Sequence, residues 1–600
     1  ISRSSGLINA SGASAGITFG NTSALTLPAG LFNGNVNNLT LNGIGGVTLA
    51  DATTINNALT LTSGNLTTGA NILTLNGMTS GSGSIVTASN GTVVYGGSSA
   101  QTISNLASNA VNSLTIDNAA GVAINGNISA TNVTINASKV LNVNAGKQLT
   151  VSTTMTNSGT LNLLSDASGT ATIVTPASIG GTGGTSNVQQ YLSGARNWYV
   201  SSPVTGATTP AGYTVYQYRE PGDNTGYTGL ATAYWESIAQ GTALENGRGY
   251  IALPSSGPVT YTFSGTLNTG TITTGSLTRT TNASKLGFNL IGNPYPAFLN
   301  LASMDTTNVL GSFWLRSRNA QDTAYDFDTY NLKSELGISK SGKSITGYIP
   351  PMQAFWVRVK EGQSSTSLSF SNTMCDHENT SNNLFRAPSV RNASQQVLNL
   401  KISNGINTDE TILAFNPNAS NGRDAYDTPK MAINAVSIPE IFTVLGGEQT
   451  AINGMNSIPF DTEIPLGFTT GQAGNNFSIS ASQITNFDAS VKIYLKDNQN
   501  LVNTPVLLTT ESNYTFSTDV TNNNTTRFAL IFKSSSVATD IDANVNQNTW
   551  ISVNGTNQVI VNGVSADGQI SVYNTIGQKL YSKNIGSGNT TLNTPLTSGV

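Results

Sequence analysis

One cysteine and one histidine in 600 residues, with charged side chains at only 9%, remove most ordinary routes to chemistry. With Cys375 alone, no disulfide can form within the chain, so a disulfide-stapled scaffold is excluded while an extracellular location stays open. With His377 alone, any nucleophilic triad has one base to draw on in the whole sequence. A net charge of −4 from so few ionic groups excludes nucleic-acid binding by counterion release, which needs a dense Lys/Arg footprint. No apolar run approaches the ~18–20 residues that span a bilayer, so no transmembrane helix is expected. What the chain does have is Gly, Ser, Thr and Asn in quantity, and Val, Ile and Leu in short groups. With hydrophobic residues at 38%, that pattern argues for many short strands joined by polar turns rather than for disorder. The start at "ISRSSG", without Met or an apolar leader, reads as a processed product or a piece of something longer.

Residues 1–188 have a texture of their own. They lack Glu, Trp and His, and their charges are confined to Arg3, Asp51, Asp117, Lys139, Lys147 and Asp166. A short strand recurs through them: "LTL" at 39–41, 59–61 and 73–75, "LTI" at 114–116, "VTI" at 133–135, "LNV" at 141–143 and "LNL" at 161–163. Apolar residues at i and i+2 turn one face inward. Leu39 to Leu59 and Leu141 to Leu161 are both steps of 20, with Asn- and Gly-rich turns between. A repeat of that length predicts a parallel β-helix, in which each rung buries its aliphatic face against the next. The competing reading is an antiparallel sandwich.

The whole chain is accordingly expected to be all-β. The N-terminal parallel β-helix (1–188) is followed by a jelly-roll or β-sandwich domain over 189–370, where the aromatic residues concentrate. Then come a Ser/Asn-rich linker (371–396), a second β-sandwich (397–535), a polar hinge (536–548) and a small Ig-like β-sandwich (549–600). Asn293-Pro294-Tyr295-Pro296 is expected to form a rigid turn, since two prolines fix φ and remove amide donors.

Motifs for catalysis are weak. "GASAG" around Ser14 lacks the strand–turn–helix setting of a nucleophile elbow. "CDHE" at 375–378 gathers metal-binding types, but adjacent residues rarely converge on one ion. In the solenoid Asp51, Asp117 and Asp166 read as turn residues, so no acid pair for glycan cleavage is expected there. Asp409, Glu410, Asp424 and Asp427 lie near strand ends and form a candidate calcium set, with turn capping as the alternative. Asp322, Asp326 and Asp328 form a weaker carboxylate group. No cofactor is required by any of these, and calcium is the one ion suggested. Trp198 and Trp235 offer rings for sugar stacking, against the alternative of core packing.

The C-terminal stretch "ISVNGTNQVIVNG", "GQISVYNTIGQKLYSKNI", "TTLNTPLTSGV" resembles the type A sorting domain of substrates of the type IX secretion system of Bacteroidota. The match rests on Val572-Tyr573-Asn574, on Gly577-Gln578-Lys579-Leu580, and on Leu596 with Gly599-Val600. That family continues with a Tyr and a last strand beyond the point where this sequence stops. "LGFNLIGNPYPAFLNL" with "GYIPPMQAFWVRV" is similar to a domain of large surface proteins of the same bacteria. "NTDETILAFNPNASNGRDAYDTPKM" is similar to the domain that precedes the sorting module. The resemblance implies export to the cell surface or medium, with a translocon, an outer-membrane shuttle protein and a sortase-like peptidase as partners. It also implies a non-enzymatic adhesin or surface structural protein that meets a surface glycan or a host or biofilm ligand. A carbohydrate-active or carbohydrate-binding protein on the same route, and cargo held by the secretion machinery, are the alternatives.

Overall fold

A computed structural model describes residues 5–220, 235–280, 287–318, 324–340, 345–377, 395–431, 436–499, 504–534, 550–554, 558–564, 567–574 and 577–593. Apart from three single-turn 3-10 segments, every regular element among them is a β-strand. Two compact units are separated by contacts: Ile1–Phe487 with Ile493–Phe532, and Asp488–Lys492 with Lys533–Val600.

The first unit begins with the predicted solenoid. Gly16–Phe19, Val36–Leu41, Thr53–Leu61, Ile72–Leu75, Thr92–Tyr95, Ala110–Ile116, Ile128–Ile135, Gln148–Asn157 and Thr172–Val174 stack as one sheet, each pair parallel. A second parallel sheet runs through Gln101–Ile103, Val122–Ile124, Val140–Val143, Thr160–Leu163 and Thr185–Leu192. The 20-residue step is the rung itself: Leu39 pairs with Leu59, and Leu141 with Leu161.

Within a rung the sequence "LTL" alternates buried and half-exposed, so the Leu faces form continuous aliphatic files in which Leu39, Leu59, Leu61, Leu141 and Leu161 are at most 1% exposed. Each such side chain contributes about 1.5–3 kcal/mol of burial. The polar turns are stacked too. Asn162 donates to Asn142 at 2.7 Å and Asn187 donates to Asn162 at 2.9 Å, a ladder that satisfies one rung's amide with the next. Small residues are obligatory where rungs touch backbone to backbone: a Cβ on Gly77 would overlap the Asn57 carbonyl.

The boundary read at 188/189 falls inside a strand. Thr185–Leu192 pairs in parallel with the last solenoid rung on one edge and antiparallel with Val259–Leu267 on the other. The last edge of the second sheet is thereby paired with the next block, which removes one site of edge-to-edge association. That block holds a five-stranded antiparallel sheet of Phe288–Gly292, Ala354–Arg358, Ser312–Arg318, Tyr325–Asn331 and Leu336–Ile338. Beside it, Trp198–Val200, Tyr250–Pro254, Tyr213–Tyr218 and Trp235–Ile238 form a second antiparallel sheet.

The linker read at 371–396 is partly folded structure. Cys375–Asp376 pairs with Phe298–Asn300, and His377 reaches the solenoid hydroxyls of Thr172 (2.7 Å) and Thr150 (3.1 Å). Residues 378–394 lie outside the described set. The strands Gln396–Ser403, Thr408–Phe415, Glu440–Leu445, Glu448–Met455, Glu463–Thr470 and Gly474–Thr485 then build a large sheet, mostly antiparallel, with one parallel pair between Thr408–Phe415 and Glu448–Met455. This sheet is not independent of the preceding block. Leu336 and Ile338 share one core with Val397, Ile412, Ala414, Ala451 and Ile452. Ser312 meets Thr428 at 2.7 Å, and the Trp314 indole donates to the Pro429 carbonyl at 3.3 Å.

In the second unit, Trp550–Asn554, Gln558–Val564 and Gly588–Asn593 form a three-stranded antiparallel sheet, and Gly568–Tyr573 with Lys579–Ile585 forms a hairpin. Its core is small: Val559, Val561, Ile585 and Leu592, flanked by Val564 and Ile570. A core of that size makes a marginally stable module.

Candidate functional site

The acidic residues singled out in the sequence go to three different places. Asp424 and Asp427 organise a turn. Asp424 accepts the amides of Ser420 (2.6 Å) and Tyr426 (2.8 Å), while Asp427 accepts those of Asp424 (2.8 Å) and Gly454 (2.9 Å). Burial pushes the Asp427 carboxyl up to about 6 in spite of those two amides. Glu410 accepts the Asn399 amide at 2.9 Å. Asp409 is different: it is 1% exposed and lies between two lysines, Lys340 and Lys430, whose side chains are 7% and 5% exposed. Among the described residues no group of three or more His, Cys, Asp or Glu is placed to hold a metal ion.

The weaker carboxylate group divides similarly. Asp322 lies outside the described residues. Asp326 and Asp328 are two apart on the strand Tyr325–Asn331, and both are buried. Asp328 accepts from the Ser317 hydroxyl at 3.0 Å and from the Lys340 amide at 2.6 Å. Asp326 lines a small cavity together with Lys340, Asp409, Glu410, Lys430 and Glu440. That cavity has room for about one water molecule.

Two primary amines and several carboxylates thus share a small pocket between the five-stranded sheet and the strand Thr408–Phe415. Desolvation lowers both lysines to about 8, with the neighbouring Lys430 charge adding to the effect on Lys340. Desolvation raises Asp326. Sequence reasoning missed Lys340, Lys430 and Glu440. Nothing near them in the chain marks them, because the three come together only when separate segments pack.

The remaining candidates do not converge. Ser14 is exposed in the turn before Gly16–Phe19. Burial pushes the Cys375 thiol up to about 12, its neighbour Asp376 is exposed, and His377 hydrogen-bonds two threonines. Asp51 takes the Gly30 amide and Asp117 the Asn136 side chain at 3.1 Å, both bonds between rungs, while Asp166 takes the Ser168 amide at 2.7 Å within its own turn. Trp235 packs edge-to-face with Tyr218 and Trp356 and at a tilt with Tyr199 in one aromatic cluster. Trp198 is half-buried, with the Arg196 guanidinium 4.3 Å from its ring centre.

In the terminal unit the motif residues form the tip of the hairpin. Val572 pairs with Tyr581, and Tyr573 with Lys579. The connecting turn is closed by Asn574, whose amide donates to the Gln578 carbonyl at 3.0 Å and whose side-chain oxygen accepts the Gln578 amide at 2.8 Å. Gly577 has φ of +83°, which explains the glycine. Tyr573 is 55% and Leu580 39% exposed, so two large apolar side chains of the motif face solvent. Leu596, Gly599 and Val600 lie outside the described residues.

Residues 102–532 match a family described as a domain of unknown function, DUF8693. The matched span ends where the first compact unit ends, at Phe532, and leaves out the terminal module. No curated protein and no solved structure matches the chain.

Proposed function

The chain belongs to the family DUF8693, described only as a domain of unknown function, and we propose that it is a non-enzymatic protein displayed outside the cell, an adhesin or surface structural component. In this reading 549–600 is an export module read by the type IX secretion machinery, and the first unit is the displayed cargo. The observation that carries the proposal is the solenoid. Its interior is filled by aliphatic files, and its outside is almost free of charge. Such a stack is suited to act as a stiff spacer and offers little with which to perform acid–base chemistry. The exposed Tyr573 and Leu580 on a weakly stabilised hairpin are suited to capture by another protein, which supports the export role.

The test is localisation of the protein in its own bacterium, with and without residues 549–600. The intact protein is expected at the surface or in the medium, and the truncated one in the periplasm. Surface delivery unaffected by the truncation would remove the export role. A deletion strain with unchanged adhesion and unchanged surface architecture would remove the displayed-scaffold role.

A further inference from the structure

The cluster around Asp409 carries an inference that does not depend on the export reading. We propose that Lys340 and Asp409 are joined by an intramolecular amide, formed by the protein itself, with Asp326 as the proton-transfer group.

The geometry assigns the parts. Asp409 is held on the strand Thr408–Phe415, and its two oxygens have different surroundings. Oδ2 accepts the Ile441 amide at 2.6 Å and faces the Lys430 ammonium. Lys430 is further engaged by the Glu410 carbonyl at 3.4 Å. Oδ1 accepts no hydrogen bond and faces the Lys340 amine. One oxygen is therefore stabilised as the future carbonyl, and the other is the one free to leave.

Asp326 lines the same cavity, and its Oδ2 is buried without a hydrogen-bond partner. An orphaned buried carboxyl oxygen is costly unless it carries or exchanges a proton. The lysines and carboxylates are also unequal in number here: Lys340 and Lys430 share the cavity lining with Asp326, Asp409, Glu410 and Glu440. Desolvation favours the neutral Lys340 amine, which is the nucleophilic form, and the neutral form of Asp326, which has a proton to give.

The step balances without any co-reactant. The Lys340 nitrogen attacks Cγ of Asp409 and forms the C–N bond. Ile441 N–H and the Lys430 ammonium stabilise the charge that develops on Oδ2. One proton passes from the Lys340 ammonium to Oδ1 within the ion pair before the attack; Asp326 then gives its proton to Oδ1 and takes one from the attacking nitrogen, and the Oδ1–Cγ bond breaks. Oδ1 departs as water, for which the cavity has room, and no oxidation state changes. The product ties the segment after Leu336–Ile338 to Thr408–Phe415, covalently locking the two blocks that share a core. Such a bond would resist pulling and proteolysis.

The experiment is mass spectrometry on the purified full chain after complete denaturation. The wild-type protein is expected to weigh less than its sequence by one water, with a proteolytic fragment in which the Lys340 and Asp409 peptides are joined. K340R, which keeps the positive charge but cannot form this amide, is expected at full mass. D326N is expected to fold, by tryptophan fluorescence, and to show full mass or markedly slowed water loss. Full mass in the folded wild type would overturn the proposal, independently of how any variant folds. A bond mapped to Lys430, or water loss that persists in K340R, would overturn it equally.

Discussion

Replacing Asn293 probes how much of the fold rests on one buried amide. Its side chain is fully buried and donates to the carbonyls of Ala297 (2.7 Å), Pro350 (2.9 Å) and Ile349 (3.1 Å), while its oxygen accepts the Tyr295 amide at 2.9 Å. The Pro350 carbonyl keeps a second donor, the Gln353 amide at 3.3 Å. Asn293→Ala therefore strips one partner from each of four groups in buried residues, of which the Pro350 carbonyl keeps another. At roughly 1–3 kcal/mol for each buried group left unsatisfied, and allowing for partial relaxation, the expected cost is about 3–5 kcal/mol. Asn293→Asp preserves the volume but turns an oxygen toward three carbonyl oxygens, so it is expected to cost at least as much. The assay is equilibrium urea unfolding followed by tryptophan fluorescence, since Trp314 and Trp356 are buried in the same block. If the Asp variant lies within about 1 kcal/mol of wild type, volume rather than hydrogen bonding holds this turn and the reasoning fails.

In the solenoid, Leu61→Ala is expected to cost about 3 kcal/mol, because Leu61 is fully buried in a rung. Rungs contact only their neighbours, so amide exchange should accelerate around strands 36–81 and stay unchanged beyond 395; a uniform acceleration would contradict the stacked description. His377 is held below its usual pKa by burial. The unfolded chain therefore binds the proton first as pH falls through about 6.5, and stability declines on the acid side with a slope of at most about 1.4 kcal/mol per pH unit. The melting temperature of His377→Gln should depend less steeply on pH between 7 and 5 than that of the wild type. Equal slopes would show that the imidazole is not the titrating group. Arg527 makes a bidentate contact with Asp497, through Nε at 3.1 Å and Nη2 at 3.0 Å, and both side chains are buried. Arg527→Met should cost about 3–5 kcal/mol by leaving that carboxylate unpaired, and adding Asp497→Leu should recover most of it; a double variant no better than the single one would show that the arginine acts through packing on Phe516 and Phe528 instead.

The difference between what was legible and what was not follows the range of the interactions. "LTL" at 39–41 and 59–61 declared both an inward face and a rung length, because alternation and repeat period are properties of neighbouring residues. The strand at 491–497 could likewise be read to the residue. Cys375 and Asp376 read as linker because their polar surroundings in sequence conceal a pairing with Phe298–Asn300 some 75 residues earlier. The carboxylates at 409–427 looked like one group by spacing, yet Asp409 turns to lysines while Asp424 and Asp427 turn to backbone amides.

By itself the sequence determined the all-β class, the solenoid and its period, since burying every second side chain in a repeated strand leaves the chain few other ways to satisfy its backbone. Only the tertiary structure decided that the blocks on either side of 378–394 share a core, and that two lysines and a carboxylate from three separate segments meet in one buried cavity. Burial strengthens electrostatic effects without leaving a local pattern, so the chemistry of such a cluster exists only once distant strands have packed.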